Sequence, residues 1–467
     1  MARIETIVFL SLILDLFAFT IPLPLFPRLI EWYTEREISD PNGFLSRTLG
    51  FVSSVRGLFY RPSLHSKKWD VVLLGGMMGS VFSMLQFIVS PRIGSLSDKY
   101  GRKRILLLTM IGNILSAVVW IQSTTFASYM LSRVIGGLSE GNVQLAIAIL
   151  SDVTTAENRS KALAHVGIAF AICFCIGPPI GAYFSTRPLP PSANPLQMEV
   201  NIYAVPALIT LVLLTVETLF LILALPETRG KGKSVHANGT KVANGGGTSK
   251  PIQKRSVEQR LGLLKTLRYI HFLFLGLFSG VEFTLTFLTF DLFDWSNKQN
   301  GALIGSIGII SALLQGGYVR RATSKIGEGV MARRGVLSCF SGLVFLALVP
   351  IYVSTNVTLA LRLLQLAAFC MAFTSATVVN SLTAAASLQC DDAVINPDTG
   401  KSNAEHPDLA KGKALGEFRS SGQLGRAIGP LLACASYWTV GPAYTYSVAA
   451  GAMFLLSMYM KRTVGTK

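Results

Sequence analysis

Charged side chains stand inside otherwise apolar stretches of this 467-residue chain, foremost among them Asp15, Arg133, Glu140, Glu282 and Arg426. An ionisable group carried into a lipid core costs at least about 2.5–3.5 kcal/mol, so one kept there is a candidate for function. A carboxyl at such a depth can take up and release a proton as its access to water changes. A guanidinium cannot lose its charge, so it needs a carboxylate or an anionic ligand. Together these residue types point to exchange of charge rather than to bond making. The sequence contains no HExxH, Walker loop or Cys/His metal spacing, so neither an enzyme, a metal, a cofactor nor ATP drive within the chain is expected.

Asp15 lies on the order of 16 Å into the first apolar run, a depth suited to a proton or a cationic group. Arg133 and Glu140, seven residues apart, fall on one face of a continuous helix with Gly137 and Gln144. Two turns separate their charges, so Arg133 is expected to meet Asp15 or a substrate anion. A structural salt bridge is the plainer alternative. Glu282, with Ser279, Thr286 and Thr289 on its face, is the first choice for a proton site in the second half of the chain. Arg426, one turn before Gly429-Pro430, is the candidate anion-binding residue, with Glu282 as a possible fixed partner. Gln86 and Thr286 are further substrate-binding candidates, although the stripe holding Gln86, Gly75, Gly79 and Ser83 reads mainly as close helix packing. Glu217 is a weaker candidate, and Arg362 is expected to snorkel to an interface.

The elements that must position these groups are membrane helices. The chain is 51% hydrophobic and only 14% charged, too apolar for a soluble surface. A bilayer core of roughly 30 Å needs about 20 apolar residues per helix. Twelve such runs lie near 4–30, 70–92, 105–122, 125–149, 161–184, 202–225, 269–291, 300–320, 334–353, 357–386, 413–437 and 442–460. They lack the period-2 alternation of a membrane β-barrel. The net charge of +17 falls on alternate connections, densest in 226–268. That asymmetry accounts for the basic balance without nucleic acid, and it predicts both termini on the cytoplasmic side. Six cysteines sit in or beside the runs and read as small apolar fillers. The N-terminal run is too long for a signal peptide and is expected to be a retained first helix.

A Gly-, Ser- and Lys-rich segment divides the runs six and six. The expected organisation is therefore a bundle over 1–225, a flexible cytoplasmic linker over 226–268 and a second bundle over 269–467. The halves echo each other: Gly94 has a counterpart at Gly317, and IGPPIG at 176–181 has one in IGPLLA at 428–433. Parallel six-helix repeats imply a pseudo-twofold along the membrane normal and a shared central cavity.

GSLSDKYGRKRIL at 94–106 resembles the loop signature of the major facilitator superfamily, with Gly94, Asp98, Gly101, Arg102 and Lys103 all in place. SRVIGGLSEGN resembles its Arg-x-x-x-Gly element, and GPPIG, with Gly177 and Pro178, its antiporter Gly-Pro element. LDLFAFTIPLPLFP is similar to the first helix of the twelve-span drug:proton antiporters. FSGVEFTLTFLT, GGMMGSVFSMLQF and RSSGQLGRAIGP are similar to stretches of the tetracycline transporter-like, or organic anion transporter-like, proteins. The departures are the long connection 31–69 and the insert 389–411. The resemblance implies an all-α fold of two six-helix halves, a role for Arg133 in proton coupling, and a gate made by Gly94, Asp98, Gly101 and Arg102. Asp98 can accept from neighbouring bases or from a helix N-terminus in the other half. Prolines and glycines at Gly177 and Pro178 permit bending.

The sequence thus reads as a monomeric, multi-pass secondary transporter of the plasma or an internal membrane. It exchanges protons for an amphipathic organic solute by alternating access. The rivals are a uniporter or symporter, and a transport-inactive scaffold that would not require buried titratable groups.

Overall fold

The computed structural model describes residues 4–22, 25–37, 39–59, 66–185, 187, 199–229, 256–295, 297–390, 394–395, 402–403 and 406–464. It is almost wholly helical. The first half comprises α1 (Ile4–Thr20), α2 (Phe26–Arg36), α3 (Phe44–Phe59), α4 (Ser66–Tyr100), α5 (Arg102–Ile121), α6 (Phe126–Ser139), α7 (Asn142–Val153), α8 (Ala156–Phe184) and α9 (Ala204–Ala224). The second comprises α10 (Val257–Phe293), α11 (Asn297–Leu314), α12 (Arg320–Ile326), α13 (Glu328–Tyr352), α14 (Val357–Ser387), α15 (Lys411–Val440) and α16 (Pro442–Thr463). A π-turn, Gln315–Val319, joins α11 to α12. A two-residue antiparallel pair, Val394–Ile395 with Ser402–Asn403, lies in the 389–411 insert.

Counting α6–α7 and α11–α12 as one interrupted rod each, the described residues give twelve long rods, six on either side of 230–255. Eight helices among the described residues are long and apolar enough to cross a membrane by length and composition alone. α15 is diluted by Lys411, Lys413, Glu417, Arg419 and Arg426, which need protein or water rather than lipid beside them.

Four elements differ from their sequence outlines. The first run stops at Thr20 and restarts as α2, with Pro22 between them and Pro27 in the first turn of α2; a proline cannot supply the N–H that would continue the helix. The connection 31–69 is largely helical. Residues 257–268 are the opening turns of α10, whose N-terminus carries a capping box between Ser256 and Gln259, so the described end of the expected linker is ordered helix; residues 230–255 and Pro24 lie outside the described residues. The fourth run is broken: Glu140 has extended backbone (ψ 97°) and Gly141 is non-helical before α7 starts at Asn142. Arg133 and Glu140 therefore do not share one continuous helical stripe.

Each half has its own buried apolar core, built around Leu12, Met110, Ile149 and Leu221 in the first and around Phe274, Leu343, Leu364 and Met453 in the second. A third cluster gathers Leu29, Tyr33, Leu45, Val52, Trp120 and Tyr129 beneath α2 and α3. This cap is also held by polar bonds. Tyr33 donates to the Ser123 carbonyl (2.9 Å) and accepts from the Asn201 amide (2.7 Å), and Glu37 accepts from the Phe126 N–H at the start of α6 (2.6 Å).

Candidate functional site

At the end of the bundle opposite the cap, α4 and α15 meet with almost no side-chain spacing. A Cβ on Gly94 would overlap the Gly412 carbonyl, and one on Gly412 would overlap the Gly94 carbonyl. That approach brings Asp98 onto the N-terminus of α15. Its Oδ1 accepts from the Gly412 N–H (2.9 Å) and its Oδ2 from the Lys413 N–H (2.7 Å). Of the two kinds of partner open to Asp98, the structure shows the helix N-terminus in the other half, where unpaired N–H groups and the helix dipole favour an anion. It shows one base as well. Arg102, 3% exposed, places Nη1 2.8 Å from Asp98 and donates from Nε to Asp152 on α7 (2.9 Å). Lys411 of α15 reaches the same Asp152 (3.5 Å) and donates to the Ser151 carbonyl (2.9 Å).

Gly101 has φ +104°, a conformation that side chains rarely adopt, and so turns α4 sharply into α5. Glu227 then caps α5, accepting from the N–H groups of Arg102 (2.8 Å) and Lys103 (3.2 Å). Sequence reading passed over Glu227, Asp152 and Lys411 because each looked like an ordinary charge in a connection or at a helix end.

In the interior, Asp15 does not meet Arg133. Its Oδ1 accepts from the side-chain amide of Asn142 (2.5 Å), the first residue after the break. Arg133 lies between aromatic rings, 5.5 Å from the centre of Trp120 and 5.4 Å from that of Tyr129, a cation–π setting rather than an ion pair. Glu217 is fully buried and accepts from the Ser11 hydroxyl (2.7 Å). Ser11 and Asp15 stand one turn apart on α1, so the first half carries a buried Glu217 beside Asp15 in addition to the two carboxyls the sequence favoured.

Glu282 and Arg426 do come together, 3.8 Å apart, with 50% and 41% of their side-chain surfaces accessible. The pair therefore borders open space. Thr286, by contrast, donates to the Phe283 carbonyl of its own helix (3.3 Å). Gln86 is 5% exposed, which suits packing better than ligand contact. Gly177 packs against Thr20 of α1, and α8 is a single helix that contains Pro178 and Pro179, so the Gly-Pro element makes a close contact within the first half.

The sequence reading also missed Arg419. It is half-buried on α15 and interacts electrostatically with Glu140 and Asp15 of the first half and with Arg426 of its own helix. Nothing but its position six residues past the start of a span distinguished it from an interfacial charge.

A family model described as Major Facilitator Superfamily matches residues 8–393. The chain belongs to this superfamily. Its fold of twelve spanning helices in two six-helix halves is accordingly that of a membrane transporter. Among relatives, the mouse protein "Major facilitator superfamily domain-containing protein 10" is 33% identical over 97% of this chain and 91% of its own. The E. coli "Tetracycline resistance protein, class B" is 22% identical over 64% of this chain and 69% of its own. The solved structure "Crystal structure of the human organic anion transporter MFSD10 (TETRAN)" superposes with a TM-score of 0.77 at 31% identity, covering 98% of this chain and 99% of that one. This chain is therefore a multi-pass transporter of the kind that moves small organic solutes.

Proposed function

We propose that this superfamily member exchanges protons for amphipathic organic anions by alternating access. The observation that carries the reading is the Glu282–Arg426 pair, a carboxylate and a guanidinium facing each other beside open space on two helices of one half. A substrate anion that takes Arg426 frees Glu282 to accept a proton, so solute and proton compete for one pair of charges. The related human protein of solved structure is an organic anion transporter, and that kinship supports an anionic substrate here.

Division near residues 225 and 268 fits rigid halves that rock about the centre. The contact of Asp98 with α15 is then a latch that holds one access state. Lys103, Arg104, Lys161, Arg334 and Lys413 stand in the helices that reach the latch end, and by the positive-inside rule they support a cytoplasmic position for that end and for both termini. The protein works as a monomer in this reading, surrounded by lipid.

Purified protein in liposomes with an imposed pH gradient tests the reading. Wild type should move organic anions in proportion to the gradient, and Glu282→Gln should remove the gradient dependence. Flux indifferent to the gradient in wild type indicates a uniporter and overturns the proposal.

A further inference from the structure

α15 presents three stripes. Gly412, Gly416 and Ser420 face α4: a Cβ on Gly416 would come within 2.6 Å of the Ser90 carbonyl, and Ser420 donates to the Phe87 carbonyl (2.6 Å). Phe418, Gly422, Gly425 and Gly429 face α10, where the Phe418 carbonyl meets His271 Nδ1 (2.9 Å) and its ring stacks on that imidazole at 4.1 Å. The third stripe lies between these two faces and holds Arg419, Gln423 and Arg426 at i, i+4 and i+7. The Cα positions of the two arginines are about 10 Å apart along the axis.

The first half closes on this stripe from the other side. Gln144, two residues beyond Asn142, donates to the same Ser90 carbonyl that Gly416 packs against (3.0 Å). The broken joint of α6–α7, with Glu140 in it, is therefore brought up to the level of Arg419. Arg419 makes no ion pair or hydrogen bond with any described residue, although Glu140 and Asp15 are its electrostatic neighbours. A charge that cannot be shed is thus left without a direct partner among the described residues, and its side chain is partly accessible, so an anion can reach it.

Resting on the reading that organic anions are the cargo, we infer that Arg419 and Arg426 form a two-cation seat on α15 for a carboxylate or sulfonate. Glu140 and Asp15 of the opposite half compete with the bound anion for Arg419. The seat spans the interface between halves, so occupying it changes the attraction between them. Arg426 alone would bind an anion without reporting to the first half; Arg419 supplies that link.

The experiment uses the full chain in lipid nanodiscs and fluorescein, a fluorescent organic anion, with binding followed by anisotropy. Arg419→Gln should weaken fluorescein binding at least tenfold, Arg419→Lys should restore most of it, and Glu140→Gln should tighten it severalfold by removing a competitor. If Arg419→Gln does not fold, the Glu140→Gln result decides alone, and unchanged or weaker binding in it overturns the inference. Wild-type affinity in a folded Arg419→Gln, or no binding to wild type, overturns it too. Fluorescein uptake that ignores a pH gradient while Arg419→Gln still weakens binding supports the seat and overturns only the antiport reading.

Discussion

The two seams between the halves are built from matching backbone and unlike chemistry. Along one, α4 lies on α15 with carbonyls and glycines in contact, and Asp98, Arg102, Asp152 and Lys411 form a buried network across it. Along the other, α8 lies against α11 and α12 with uneven spacing: a Cβ on Gly308 would stay 3.9 Å from the Ala171 carbonyl, whereas one on Gly167 would overlap the side chains of Gln315 and Asn380. The polar crossings include the Ser160 hydroxyl donating to Glu328 of α13 (2.5 Å) and Arg159 donating to the Ser387 carbonyl of α14 (3.2 Å). The turns are counterparts, since Gly101 (φ +104°) precedes α5 as Gly327 (φ +87°) precedes α13. Three residues before each stands Asp98 in one half and Ser324 in the other. Pseudo-symmetry is kept in the main chain and dropped in the charge: an ion-pair network crosses one seam, and hydrogen bonds from Ser160 and Arg159 cross the other.

The comparison breaks most severely at Gly94. Gly94→Ala places a methyl on the Gly412 carbonyl, and overpacking of about 3 kcal/mol would cut the population of the fastened state by roughly 100-fold. Flux in liposomes should fall to a few per cent while the yield of folded protein holds. Asp98→Ala removes two bonds to helix N–H groups and the Arg102 ion pair; the site is partly exposed, so water replaces part of their worth and the net loss is about 1.5 kcal/mol. A fall in flux on the order of tenfold, with anion affinity within about twofold of wild type, is expected; a large loss of affinity would contradict the latch.

Ser160→Ala, on the α8 seam, deletes one bond worth about 1 kcal/mol and should slow flux by no more than a few-fold. An effect as large as that of Asp98→Ala would erase the distinction between the seams. Smallest of all is Asp408→Asn, just ahead of α15. Lys413, 2.6 Å away, holds the Asp408 carboxyl below its ordinary value. A lowered value means that the pair's contribution is present above the usual carboxylate range, near 3.9, and is lost only as pH falls through the lower folded value. Asp408→Asn should lower the melting temperature by no more than about 2 °C, by the same amount at pH 8 and at pH 5.

The twelve-rod architecture was legible because apolar runs of membrane length carry it. The Asp98 turn was legible because basic residues, a carboxylate and glycines in thirteen positions leave little else for that stretch to be. The break after Glu140 was not, since a Gly-Asn step inside a span interrupts no apolar run; tertiary partners, Asp15 for Asn142 and Ser90 for Gln144, decide it. The Glu282–Arg426 pairing could be guessed from depth alone. The distance of Arg133 from Asp15 could not, because helix rotation sets it, turning Arg133 toward Tyr129 of its own helix and Trp120 of α5. The cap helices were hidden by mixed composition, being neither apolar enough for a span nor polar enough for a plain loop.

That cap is tied unevenly. Every hydrogen bond described above for it, from Tyr33 and Glu37, ends on Ser123, Phe126 or Asn201, all in the first half, while Cys434, Phe283 and Trp438 of the second half meet it through its apolar cluster. Directional bonds fix position and apolar contacts tolerate slippage, so the cap should ride with the first half as a rigid handle. An antibody fragment raised against α2 and α3 would then add a visible mass to one moving body of a small transporter without bridging the two.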